Sequence, residues 1–277
     1  MSRSSVETIE CEPAAKPSAR SEGGQRGLHA VQPVRRMSAR IEPFDSYWQA
    51  PDDVEAGYAK FAAYYRVNVV PHMPAVRDKR ILVVSCGAGY LLNELRDQGY
   101  HNVSGIDSDP EKVAFGQKRG LACEVATAFE YLEAAAPASF DAIVLEQEIN
   151  HLTMDESIEF LALCRTRLKP GGLLWTYGLN GANPLVGSEN IAHNIDHFYL
   201  LADYSYKQLL ELAGFAPEQI RVHPLELYVF KGNPLNYVGL AVTRLFELAC
   251  KTGFILYGKK VSVLSKKISA TARLPLD

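Results

Sequence analysis

Short apolar runs recur through the middle of this chain, and most are followed by a stretch with helical spacing. Ile81, Leu82, Val83 and Val84 are apolar at every position, which suits a parallel strand covered by helices on both faces. A glycine-rich turn, Cys86 to Gly89, leads into a helical pattern of Leu91, Leu92 and Leu95. A second strand is predicted over His101 to Ile106, ending at Asp107. Asp109 followed by Pro110 reads as an N-cap with proline at the first helical position, opening a helix to Arg119. A third strand is predicted at Ala122 to Ala126, with Thr127, Ala128 and Phe129 at its tip, and a fourth at Phe140 to Glu146. Thr153 and Glu156 form a capping box for the next helix, in which Ile158, Leu161 and Leu168 face the sheet. Lys169, Pro170, Gly171 and Gly172 end that helix and turn into a fifth strand, Leu173 to Tyr177. Strands alternating with helices in this way predict an α/β, doubly wound sheet with helices on both faces.

The rest of the chain departs from that rhythm. Residues 1–40 are rich in Ser, Ala, Pro, Gly and Arg without apolar periodicity, and they are expected to form a disordered tail. Residues 41–277 are expected to form one domain. It begins with a helical cap over residues 41–78, in which Val54 to Val70 is amphipathic and rich in Tyr and Phe. Asn180 to Leu201 is a long polar and aromatic loop of the kind that usually serves function. Ser205 and Gln208 read as a second capping box, and Gly214 closes the helix that follows. A sixth strand lies within Ile220 to Phe230, a helical insertion occupies residues 232–264, and the last strand is Lys267 to Arg273.

Composition narrows the function. With 277 residues, 47% of them hydrophobic, the chain can bury one large core. A net charge of -3 gives no electrostatic reason to expect nucleic acid as partner. The five cysteines, at 11, 86, 123, 164 and 250, are dispersed, as in a reduced cytoplasmic protein without a disulfide frame or zinc site. The apolar stretch from Leu235 to Tyr257 is interrupted by Arg244, Glu247 and Lys251 and does not read as a membrane span. With the basic residues after it, it is expected to be a solvated helix over the sheet edge, peripheral contact with a membrane-linked or anionic substrate being the second reading.

The candidate chemistry gathers at the first glycine turn. Glycine lets a ligand approach the backbone closely, and the N–H groups of the helix start face the crevice. Asp107, at the tip of the second strand, can accept hydrogen bonds from both hydroxyls of a ribose. A dinucleotide fold would place a third glycine where Leu92 stands, so the ligand is a nucleoside without a pyrophosphate. The order Ile-Leu-x-x-x-Cys-Gly-x-Gly-Tyr, followed by Gly-Ile-Asp, resembles the class I S-adenosyl-L-methionine-dependent methyltransferases, and so does the Leu-Lys-Pro-Gly-Gly turn.

That resemblance implies a seven-stranded Rossmann-like sheet with its last strand antiparallel. It also implies that Ser85, Cys86, Gly87, Ala88 and Gly89 cradle the methionine moiety. Asp107 with Ser108 would hold the ribose, Thr127, Ala128 and Phe129 would flank the adenine, and Glu146 and Gln147 would border the sulfonium. Two positions depart from the family pattern: Val83 stands where relatives carry an acid, and Ser85 where they carry a glycine. The loop with Asn180, Asn183, Asn194, Asp196 and His197 resembles a subgroup that accompanies bacterial polysaccharide and glycolipid biosynthesis, which implies a sugar hydroxyl as acceptor. A small-molecule O- or N-methyltransferase, and a cofactor-binding or partner module without activity, are the alternatives. Transfer to a hydroxyl requires alignment and a proton acceptor. His197 with Asp196 beside it is the first candidate for the base, and His151, just past the fourth strand, is the second. No spacing suggests a metal.

Overall fold

The structure is a computed structural model in which residues 51–146, 149–187, 197–226 and 234–276 are described. The expected tail, together with Gln147 and Asp196, lies outside the described residues. Seven strands form one sheet in the order β3-β2-β1-β4-β5-β7-β6. They are β1 (Ile81–Val84), β2 (Val103–Asp107), β3 (Cys123–Val125), β4 (Phe140–Leu145), β5 (Leu168–Leu179), β6 (Ile220–Pro224) and β7 (Lys267–Arg273). β7 runs antiparallel to both β5 and β6, and the remaining pairs are parallel. The doubly wound sheet is the one that the alternation predicts, and its seven strands with an antiparallel β7 are those that the resemblance implies.

Helices α1 (Pro51–Asn68), α2 (Tyr90–Asp97) and α3 (Pro110–Lys118) precede the middle of the sheet in the chain, and α4 (Ala128–Ala134), α5 (Met154–Arg167) and α6 (Asp203–Leu212) follow. A long helix, α7 (Pro234–Leu256), fills the insertion before β7. The all-apolar β1 explains why there are two cores. Leu82 and Val84 pack on one face with Phe129, Phe160 and Leu209, while Ile81 and Val83 pack on the other with Tyr58, Leu91 and Val113. Val83, where the family pattern has an acid, is fully buried between Gly105 and Val144 of the flanking strands. It is a packing residue.

Local rules set most element ends. The Asp109 side chain caps α3 by accepting from the N–H groups of Glu111 and Lys112. Thr153 and Glu156 form the reciprocal box at α5. Two expectations need correction. The Lys-Pro-Gly-Gly segment does not separate helix from strand: β5 already begins at Leu168, which pairs with Phe140, and the four residues form a bulge before Leu173 meets Ala142. The capping at α6 also falls earlier than expected. Ala202 is the N-cap, and Ser205 sits at the third helical position, where its hydroxyl accepts the Ala202 N–H at 2.8 Å.

Beyond α1 the chain makes a short turn, Val70–His72, and the His72 ring stacks on His223 of β6 at 4.5 Å. Burial pushes both imidazoles below their usual value, with neighbouring positive charge adding to it, His223 and Arg273 for His72 and Arg221 for His223. The unfolded chain therefore binds more protons than the folded one at mildly acidic pH. This contribution to stability is present above the ordinary histidine value of about 6.5 and is lost as pH falls from there through the folded-state values. Urea unfolding of wild type and of His72→Asn, His223→Asn should show a smaller loss of stability from pH 7.5 to pH 5 in the double variant. An equal loss in both would remove this assignment.

Candidate active site

In an open α/β sheet the crevice lies where the strand order reverses, at the carboxyl ends of the strands. Here that point falls between β1 and β4. The two tips are joined directly, because the Glu146 N–H donates to the Val84 carbonyl at 3.0 Å.

The bend from Ser85 to Gly89 enters left-handed backbone at Ser85 (φ 56°), Gly87 (φ 53°) and Gly89 (φ 82°). Ser85 adopts a conformation that glycine takes without cost, which explains the usual glycine at this position. At Gly87 the space where a side chain would project holds no atom within 4 Å. A ligand can approach the backbone there. At Gly89 a Cβ would lie 2.7 Å from Leu121, so this second glycine serves the packing of α2. Cys86 is buried, with its side chain turned under the bend against Gly105, and it offers a ligand only its backbone.

Asp107 faces the bend. One carboxylate oxygen accepts the Gly87 N–H at 2.7 Å and the other the Asp109 N–H at 2.9 Å. Burial pushes its pKa up, and these two N–H groups pull it back only in part. Each oxygen still has a lone pair free for a hydroxyl. Ser108 is half-buried beside it.

At the tip of β3 the expectation is corrected. Thr127 is exposed and donates to Glu130 at 2.7 Å, and Ala128 begins α4, a helix that the sequence reading did not separate from the strand tip. The Phe129 ring is buried against Phe160, with centroids 5.0 Å apart. It is part of the core and does not form a stacking surface, so Phe129 can meet a ligand only through its backbone.

The cap helix contributes more than the sequence revealed. Tyr58 and Tyr65 lie seven residues apart on α1, two helical turns along one face. The Tyr58 hydroxyl donates to the Ala88 carbonyl inside the bend at 2.6 Å, and the Tyr65 hydroxyl bonds the Glu146 carboxyl. Bidentate pairing of Arg66 with Glu94 of α2, at 2.9 and 3.1 Å, fixes the helix in register. The Glu146 carboxyl is enclosed by protein although the residue keeps some exposure. Burial raises its pKa to about 8, the nearby Asp107 adds to the rise, and the Tyr65 bond opposes it.

Past β4, the turn Ile149–His151 carries His151. The chain returning from the long loop docks on this turn. Phe198 N–H donates to the Asn150 carbonyl at 2.9 Å, and the Tyr199 hydroxyl to the Ile149 carbonyl at 3.0 Å. Docking brings His197 against His151 edge to face, with ring centroids 4.7 Å apart. The two histidines singled out from sequence are thus neighbours, 46 positions apart in the chain. Asn180 and Asn183, at the start of the same loop, are buried and hydrogen-bonded within the protein. Their amides donate to the carbonyls of Val263, Ser265 and Leu264 and their oxygens accept nearby backbone N–H groups. They staple the loop to the strand β7 approach.

Known proteins resemble this chain in sequence and in fold. A family described as a methyltransferase domain matches residues 81–172. The ubiquinone biosynthesis O-methyltransferase of Xylella fastidiosa (strain M23) is 32% identical over 120 residues, which is 42% of this chain and 48% of that protein. The protein of the same name from Ralstonia nicotianae is 27% identical over 184 residues, 62% of this chain and 74% of that one. The chain thus spans about half the length of the first of these relatives. A solved SAM-dependent methyltransferase from Archaeoglobus fulgidus superposes with a TM-score of 0.56 at 16% identity, covering 84% of this chain and 99% of that chain, a likeness of fold.

Proposed function

We propose, from the premise that residues 81–172 are a class I S-adenosylmethionine-dependent methyltransferase domain, that this chain methylates a hydroxyl oxygen of a small molecule. The observations that carry the reading are the His151–His197 pair past the end of β4 and, at the end of the adjacent strand β1, a glycine bend faced by a carboxylate. S-adenosyl-L-methionine, when bound, supplies an electrophilic methyl group on a sulfonium. The residues present suit that cofactor: open space over Gly87, an acid at Asp107 with free lone pairs, and a carboxyl at Glu146 on the neighbouring strand tip. In our reading Ser85 to Gly89 hold the methionine moiety through backbone groups, Asp107 holds the ribose and the start of α4 borders the adenine. Glu146 meets the methionine ammonium and so takes over from the acid that Val83 replaces. His197 accepts the proton of the acceptor hydroxyl, and His151 supports its ring.

The acceptor follows from the base. A ring hydroxyl with a pKa near 10 yields its proton to an imidazole more readily than a sugar hydroxyl does, and the relatives are named O-methyltransferases of ubiquinone biosynthesis. An aromatic hydroxyl is therefore our first choice of acceptor. The sugar hydroxyl comes second, since Asn180 and Asn183 are spent on structure.

Glu146 makes the reading testable. An ammonium group prefers the ionised carboxylate, so at pH below about 8 cofactor binding must first release a proton. Affinity should tighten by up to about tenfold per pH unit toward that value and level off above it. Calorimetry with S-adenosylmethionine and its demethylated product should show this slope in wild type and its absence in Glu146→Gln. A tritiated-methyl assay on a catechol and on a panel of sugar precursors then identifies the acceptor. Binding of neither cofactor form at any pH would reduce the chain to a partner module.

A further inference from the structure

Helix α7 is turned the wrong way round for a solvated helix. Leu235, Val238, Val242, Leu245, Leu248 and Leu256 are each between 59 and 80% exposed. The one buried side chain of the helix belongs to Glu247. At about 100° per residue, these six apolar positions share one broad face. Leu240, Thr243, Glu247, Cys250 and Phe254, all buried or half-buried, fall on the opposite face, toward the protein. The face given to solvent is thus more apolar than the face given to the core. No described helix is long and apolar enough to cross a membrane, and this one spans about 35 Å.

Charge identifies what covers it. Residues 234–267 carry six cations, Arg244, Lys251, Lys259, Lys260, Lys266 and Lys267, against the single carboxylate of Glu247, in a chain whose net charge is -3. Arg244 is held by Glu226 at 2.5 Å and Glu247 at 3.1 Å, so its charge is already balanced. Lys259 and Lys260 are exposed just past the helix end. A second copy of this helix would bring no acid to meet them in either orientation. An anionic bilayer meets both features at once, because headgroups neutralise lysines while acyl chains take up the leucines. We propose that α7 lies in the surface of an anionic lipid membrane, with its Leu235–Leu256 face inserted and Lys259 and Lys260 on the headgroups. This holds whatever the acceptor is.

Flotation of the full chain with vesicles tests the assignment. Binding is expected to vesicles of equal parts phosphatidylglycerol and phosphatidylcholine, with little to phosphatidylcholine alone, and it should weaken as salt rises. Leu245→Glu, Leu248→Glu should lose more than tenfold in vesicle affinity. Lys259→Glu, Lys260→Glu should lose roughly tenfold or more. All four side chains are exposed, so circular dichroism and the unfolding midpoint should match wild type. Failure to bind anionic vesicles at low salt overturns the proposal, as does binding that the leucine variant leaves intact. A dimer that forms without lipid and is abolished by Leu245→Glu would give the face to a second copy instead.

Discussion

Replacing Asp107 with asparagine is expected to weaken S-adenosylmethionine binding by about a hundredfold while leaving the fold intact. The carboxylate now accepts two backbone N–H groups, from Gly87 and Asp109, one on each oxygen. An amide has a single oxygen, so one of those N–H groups would face an NH₂ group and the bend would shift. The two ribose hydroxyls would also lose a charged acceptor, and a hydrogen bond to a charged group contributes about 1.5–3 kcal/mol. A net loss near 3 kcal/mol corresponds to about two orders of magnitude in affinity. Stability should move little, because burial raises the Asp107 pKa: its ionised form is a cost to the folded state at neutral pH, and the neutral amide relieves it. Calorimetry beside thermal unfolding separates the two effects. An asparagine variant that binds the cofactor within about threefold of wild type would remove Asp107 from the site.

What made this half of the molecule legible was local chemistry with little freedom. Four consecutive apolar residues allow one environment, a central strand covered on both faces, and Ile81 to Val84 occupy it. Asp109 before Pro110 allows one cap, and Lys267 to Arg273 forms the last strand with the expected ends. The errors lie where a local signal had two outcomes. Phe129 follows a strand tip, and an aromatic there turns toward either a ligand or the core. The choice was made by Phe160, 31 residues away. Ser205 is a good N-cap residue and also a good third-position partner, and the structure uses the second option. Tyr65 read only as one of several aromatics, because its partner, Glu146, is 81 positions on. Long-range pairings of that kind leave no periodic trace.

Helix α7 shows a deeper limit. Its sequence displays two faces, and the ordinary inference turns the more apolar one inward. Periodicity carries no sign for the core, and the expectation of a solvated helix rests on the charges alone. A helix that docks on a second apolar phase has the same pattern as one that docks on its own sheet. The buried Glu247 carboxylate, paired at 3.1 Å with the half-exposed Arg244, is the clue that the polar side was fastened to the protein.

Removing the His197 imidazole is expected to lower kcat by about 10²- to 10⁴-fold, the usual contribution of a positioned base, with cofactor affinity unchanged. His151→Ala should cost less, about tenfold, if its ring acts by holding His197 through their edge-to-face contact. The double variant should then be no worse than His197→Ala alone, since residues acting as a unit do not add. A loss of activity alone would not prove base catalysis, because a vacated ring also loosens the turn at Ile149–His151. The acidity of the acceptor separates the two. An acceptor whose hydroxyl is already ionised at the assay pH needs no base, so His197→Ala should recover most of its rate on a nitro-substituted catechol and little on an unsubstituted one. A misplaced substrate would be slow on both. Equal losses on the two acceptors would therefore make His197 a positioning residue and leave alignment as the main source of the rate.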